Sequence, residues 1–217
     1  MMTANILNIL IVLSLFLLIF GCAEFLYKKK ISPNITRKIV HIGGGTIAAL
    51  LPIFVNLETV VILGIGFFLL LTVSKRKNLL GSIHKINDES MGALLFAPSL
   101  TLTAIIFWPV NTLIFQGAAL ILGLSDGIAG VVGQRYGRKK YSIGGIKTIE
   151  GSLIFFLITT LILFGNLYIS DTAVALDKTL LIFGGSLLLT IVEAAFGRGW
   201  DNLFIPIVAG TILFFIL

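Results

Sequence analysis

The chain is a succession of eight apolar runs, at residues 6–27, 40–55, 59–73, 91–108, 111–132, 153–169, 180–196 and 203–217, separated by short polar connections. A helix that crosses a bilayer needs about 20 mostly apolar residues, and shorter spans are accommodated by thinning or snorkelling. The runs predict an all-α fold, a polytopic membrane helical bundle of about eight transmembrane helices. The second, third and eighth runs are short, which leaves seven as the other count. Only 12% of the 217 residues are charged, whereas soluble domains carry about 25%. The whole of residues 1–217 is therefore expected to be a single integral membrane domain.

The placement of charge favours eight. Lys28, Lys29, Lys30, Arg37 and Lys38 lie between runs one and two, and Lys75, Arg76, Lys77 and Lys85 between three and four. Arg135, Arg138, Lys139, Lys140 and Lys147 lie between five and six, and Arg198 between seven and eight. With eight spans, 15 of the 16 cations share one face and only Lys178 lies opposite. The positive-inside rule makes that face cytoplasmic, with both termini outside. The expected location is the inner membrane of a bacterial or archaeal cell.

The start, "MMTANILNILIVLSLFLLIFGCAEFLYKKK", lacks a basic leading region and is longer than a signal-peptide core. It reads as a first transmembrane helix. The single cysteine, Cys22, excludes an intrachain disulfide and a Cys-cluster metal site. The net charge of +6 follows from topology and from attraction to anionic membrane lipids. Cations divided among membrane loops, with no stacking platform, exclude a nucleic-acid partner.

The acids are more informative. Glu24, Asp126, Glu150, Glu193 and Asp201 all fall near the basic face, in or beside apolar runs. A carboxylate in a bilayer costs roughly 2.5–3.5 kcal/mol on insertion scales unless it is paired, hydrated or metal-bound. Glu24 precedes Lys28 by four residues, which predicts an interfacial ion pair. Asp126 and Glu193 have no such neighbour within their apolar pattern. Carboxylates beside a basic, glycine-rich loop suggest a divalent metal and a polyphosphate, because Mg²⁺ binds through one or two carboxylates plus substrate phosphates.

That loop lies within "GLSDGIAGVVGQRYGRKKYSIGGIKTIEGS", residues 123–152. Gly127, Gly130, Gly133 and Gly137 recur every three or four residues, a smooth helix face for another helix or a ligand. Gly144 and Gly145 predict a turn whose backbone N–H groups face an anion. Lys147 adds a point charge, and "KTIEGS" opens a helix whose N-terminus favours phosphate. The spacing is not that of a Walker A loop.

Three further stretches enter the same face. "TRKIVHIGGG" places Arg37 and His41 one helical turn apart, and His41 is open to two readings, a general base or a hydrogen bond to a neighbouring helix. "HKINDESMGALLFAP" brings Asp88 and Glu89, of which Asp88 fits a solvated helix start. "VEAAFGRGWDNLFIPI" sets Arg198, Asp201 and Asn202 in a short loop beside Glu193, a set able to hold a metal or a nucleotide.

"RKIVHIGGG", "LSDGIAGVVGQRYGRKK…GGIKTIEGS" and "EAAFGRGWDNLFIP" together resemble, in order from Arg37 to Pro206, the signatures of the membrane polyprenol kinase family. That family includes dolichol, phytol and CTP-dependent diacylglycerol kinases. The chain departs from its pattern at Arg138, where the family has lysine, and at Thr148, where serine is usual. The resemblance implies transfer of the γ-phosphoryl group of CTP to an isoprenoid or other lipid alcohol at the cytoplasmic face. It implies catalytic roles for His41, Asp126, Lys147, Glu150 and Asp201, with His41, Glu150 and Asp201 all open as the base. Arg37, Lys38, Gly130, Gly133, Gly137, Arg138, Lys139, Gly145, Thr148, Gly151 and Asn202 are the implied nucleotide and phosphate contacts. Mg²⁺ would meet Asp126, with Glu193 or Asp201. The alternatives are a CTP:lipid-phosphate cytidylyltransferase, which borders on the same family, and a small ion-coupled transporter. Against the transporter, no inverted repeat or pair of broken helices is evident.

Overall fold

A computed structural model describes residues 5–77, 79–84, 91–171, 173 and 175–217. Lys85, Asp88 and Glu89 lie outside the described residues. Every apolar run is helical. The order is α1 (Ile6–Lys28), α2 (Pro33–Phe54), α3 (Leu57–Arg76), a single turn α4 (Gly81–His84), α5 (Gly92–Phe107), α6 (Thr112–Leu120), a π-helical turn (Ile121–Asp126), α7 (Gly127–Tyr136), a hairpin of β1 (Lys140–Ser142) and β2 (Ile146–Thr148), α8 (Ile149–Ile169), α9 (Leu176–Ala195) and α10 (Asp201–Ile216). The fold is an all-α polytopic bundle. Five helical segments are long and apolar enough to cross a membrane: Ile6–Lys28, Leu57–Arg76, Thr112–Tyr136, Ile149–Ile169 and Leu176–Ala195. Gly92–Phe107 and Asp201–Ile216 are apolar but shorter.

Helix starts follow local chemistry. Asn56 caps α3 by accepting the Thr59 N–H at 3.1 Å, and Thr148 caps α8 by accepting the Gly151 N–H at 3.1 Å. Pro33 occupies the first turn of α2, where its missing N–H costs nothing. Several helices overrun the apolar runs at one end. α2 begins at Pro33 and so includes Arg37 and Lys38, α8 begins at Ile149, and α10 begins at Asp201. These first turns carry polar residues, so hydropathy alone places those boundaries too late. The connection between α7 and α8 also differs from a plain loop, because Lys140 pairs with Thr148, Tyr141 with Lys147 and Ser142 with Ile146.

The 111–132 run is one helix with a π turn in its middle. There α2 crosses at backbone distance: a Cβ on Gly45 would lie 2.5 Å from Gly123 Cα. Small residues at a helix crossing permit that approach. The glycines of α7 serve neighbours too. Gly127 faces Ile42, Gly130 faces the Lys38 stem, and Gly133 faces Thr148 and Gly151. Glu24 does not supply the expected bridge to Lys28. Its Oε2 accepts the Ser82 N–H at 3.2 Å, while Thr36 Oγ1 donates to the Ser82 carbonyl at 2.7 Å. The two contacts tie α4 to α1 and α2; Glu24 satisfies a backbone donor in the first turn of α4, and Thr36 satisfies a backbone acceptor.

Gly45→Ala should force α2 off the π turn and destabilise the protein by about 1–3 kcal/mol, the usual cost of overpacking. Gly66→Ala, where nothing lies within 4 Å, should be neutral or slightly stabilising. Thermal unfolding of the two variants in one detergent checks the contrast.

Candidate active site

Two ion-paired sets occupy one end of the bundle. In the first, Lys38 Nζ lies 2.7 Å from Asp126 Oδ2, and His41 Nε2 lies 3.0 Å from the same oxygen. His41 Nε2 is also 2.9 Å from the Leu122 carbonyl. Both neighbours are acceptors, so Nε2 carries hydrogen, and the lone pair of a neutral His41 resides on Nδ1. The π turn brings Leu122 and Asp126 together beneath α2, a common use of such turns at functional sites. Gly130 makes room for the lysine stem, since a Cβ there would lie 2.5 Å from Lys38 Cε. Asp126 is only 4% exposed.

The second set is built by the hairpin. Lys147 Nζ lies 2.6 Å from Glu193 Oε1 and 3.2 Å from Asp201 Oδ2. Its loop is locked to the α9–α10 connection: the Gly144 N–H donates to the Ala194 carbonyl at 3.1 Å, and any Cβ on Gly144 would strike the Ala195 carbonyl. That N–H, expected to face an anion, is therefore spent on packing. Arg198 adopts φ 55° and Gly199 φ 92° in the same connection, and the Arg198 carbonyl accepts the Met91 N–H at 2.9 Å. Asn202 donates its amide to the Gly92 carbonyl at 2.7 Å, which joins the starts of α5 and α10. Burial works against the charge on Lys147, but the carboxylates of Asp201 and Glu193 outweigh it and hold its pKa above the ordinary lysine value.

Both sets face one cavity of about 1440 Å³. Of the residues picked out from sequence, Arg37, Lys38, His41, Asp126, Gly130, Gly133, Gly137, Gly145, Lys147, Thr148, Gly151, Glu193, Asp201 and Asn202 line it. Arg138, Lys139 and Glu150 stand off its wall. Glu150 instead caps the hairpin, with both carboxylate oxygens 3.4 Å from the Lys139 N–H. Sequence reasoning missed Ser152, whose hydroxyl lies 2.5 Å from Tyr141 Oη and 3.5 Å from Glu193 Oε2. Its position two residues after Glu150 was the one signal that could have found it. Sequence reasoning also missed the apolar half of the cavity, whose residues look like any other lipid-facing side chains in the sequence.

The expected single carboxylate cluster takes the form of two lysine-bound sets, and among the described residues no three His, Cys, Asp or Glu side chains are grouped to hold a metal ion. The donor set nevertheless fits Mg²⁺, which takes one or two carboxylates and completes its shell with water and phosphate oxygens. Asp126, Glu193 and Asp201 are hard oxygen donors that line one cavity.

The chain is 31% identical over 194 residues to a phytol kinase of Synechocystis sp., a match covering 85% of this chain and 81% of that protein. It is 28% identical over 174 residues to the probable phytol kinase 3, chloroplastic, of Glycine max, covering 74% of this chain and 54% of that longer protein. No family model matches the chain, and no solved structure matches it.

Because its pKa is raised, the Lys147 ion pair is complete below the ordinary lysine pKa and is lost only as pH rises through the higher folded value. At pH about 10, near that ordinary value of ~10.4, an amine-acylating reagent should modify the exposed Lys139 and Lys140 well before Lys147. Peptide mass spectrometry reads the order; equal rates would contradict the buried ion pair.

Proposed function

The chain belongs to the polyprenol and phytol kinase family, and we propose that it transfers the γ-phosphoryl group of CTP to the hydroxyl of an isoprenoid alcohol. The reaction takes place at the cytoplasmic face of the cell membrane, in a single membrane domain whose eight apolar runs, the long and the shorter, are eight crossings. The observation that carries this reading is the cavity itself. Cations and acids wall one end, aromatic and aliphatic side chains the other, and a lipid alcohol meeting a nucleotide needs both.

Phosphoryl transfer is mainly positioning and charge neutralisation. Lys147, Lys38 and Arg37 supply positive charge to phosphate oxygens as they enter. The start of α8, at Thr148 and Gly151, presents the positive end of a helix dipole to the same space; Gly133 and Gly137 let α7 pack closely on Thr148, and Gly145 lines the same space. Arg138 and Lys139, off the wall, contribute an attractive field. Asp126, with Glu193 or Asp201, would hold Mg²⁺, which supplies neutralisation of the nucleotide phosphates. The alcohol oxygen bonds to the γ-phosphorus as the bond to the bridging oxygen breaks, CDP leaves, and the hydroxyl proton passes to a base. His41 and Asp201 reach the cavity and are the candidates; Glu150, capping the hairpin, is not. Asn202 acts by holding the Asp201 turn against α5.

Purified protein with Mg²⁺, mixed lipid alcohols and lipid phosphates, and CTP labelled separately at the γ and α positions tests the reading. Label from the γ position should appear in a lipid phosphate, and ATP in place of CTP should lower the rate. Label from the α position in lipid, with pyrophosphate released, would make the protein a cytidylyltransferase. Asp126→Asn and Lys147→Ala should each lower turnover about 10²–10³-fold, the usual effect of removing one preorganised charge. Turnover within a few-fold of the parent would overturn the residue assignment.

A further inference from the structure

The cavity does not stop at the ion pairs. Along α2, Gly44, Ala48 and Leu51 follow His41 on its wall at the three- and four-residue spacing of one helix face. Val60, Gly64, Phe67 and Leu71 do the same on α3. Phe96, Leu100 and Thr101 line it from α5, and Phe16 and Phe20 from α1. The Thr101 hydroxyl is spent on the Ala97 carbonyl at 2.8 Å, so this stretch presents no unmet polar group there. The Phe16 and Phe67 rings meet on its wall, with centroids 4.5 Å apart.

This apolar reach has a length. From His41 to Leu51 is ten residues, or about 15 Å of helix. That is half of the about 30 Å hydrocarbon core. From Leu71 to Val60 on α3 is eleven residues, about 16 Å. It also has a floor. Leu51, Val60 and Phe115 are exposed by only 6%, 4% and 0% and pack in one apolar core. They lie toward the 55–56 and 108–111 connections, opposite the ion pairs.

We propose that this recess holds the tail of the alcohol substrate, and that Leu51, Val60 and Phe115 set the longest tail accepted. The recess suits one unbranched or methyl-branched chain of about one leaflet's depth. It excludes long polyprenols and two-tailed alcohols. This rests on the lipid-alcohol kinase reading above and adds the residues that determine specificity.

The full-length protein is assayed with CTP and a graded series of geraniol, farnesol, geranylgeraniol, phytol and solanesol. The parent should accept alcohols through geranylgeraniol and phytol and reject solanesol. Ala48→Phe, which fills the recess midway, should cost at least tenfold on geranylgeraniol relative to geraniol, with the KM for CTP unchanged. Leu51→Ala combined with Val60→Ala, which deepens the floor, should raise relative activity on solanesol. An unchanged length profile in both folded variants, checked by thermal melting, would overturn the proposal.

A second readout needs no turnover and stands if either variant fails to fold. Geranylgeraniol carrying a terminal diazirine is photolysed with the parent protein and the adducts are mapped. Adducts at Leu51, Val60 or Phe115 support the recess; adducts only on outward-facing residues such as Ile62 or Leu69, which are exposed, overturn it. Adducts at the floor without phosphorylation of any alcohol would sink the kinase reading and leave the recess standing.

Discussion

A carboxylate buried among membrane helices is costly unless it is paired, hydrated or metal-bound, and Asp126 and Glu193, each met by a lysine, impose that condition on one end of this bundle. Lys38 reaches Asp126 only because α2 presses its backbone against the π turn, which requires glycine at 45 and 123. Lys147 reaches Glu193 and Asp201 only because the hairpin tip tucks under the α9–α10 connection, which requires glycine at 144 and 197. Many of the glycines that make the sequence look flexible are thus places where backbones touch, so that charges can meet.

The same arrangement gives the proposed chemistry its starting point. The ammonium groups of Lys38 and Lys147 are already positioned and largely withdrawn from water, held by acids that are also hard ligands. Charges fixed before substrates arrive need little reorganisation when phosphate enters, and their effect is larger in a low-dielectric setting. The apolar recess begins beside them, so in the proposed reaction a hydroxyl at the head of a lipid chain would reach the charged end without the chain leaving a nonpolar environment. His41 stands at the junction, bound to Asp126 on one side and with its ring 4.7 Å from that of Phe96 on the other.

Much of this is legible in the sequence, for a simple reason. In a chain this apolar, any acid inside a run is an anomaly, so Asp126 and Glu193 stand out from hydropathy alone. The clustering of cations between alternate runs orders the helices in the same way. Where the sequence misleads, the cause is that spacing along a chain sees only near neighbours. Glu24 has a lysine four residues on, but it binds the Ser82 backbone 58 residues away. Glu150 sits inside the most suggestive motif, yet at the helix start it turns to the Lys139 N–H and away from the cavity.

The sequence by itself determined that the chain is a helical membrane bundle with its ionisable residues gathered at one end, because hydropathy and charge act residue by residue and leave a one-dimensional trace. Only the tertiary structure decided which acid meets which lysine, that the glycine-rich loop closes as a hairpin, and that an apolar recess about one leaflet deep continues from the ion pairs. Those outcomes depend on which helix faces oppose one another. An apolar side chain pointing into a cavity and one pointing into lipid satisfy the same local requirement, so nothing in their sequence tells them apart.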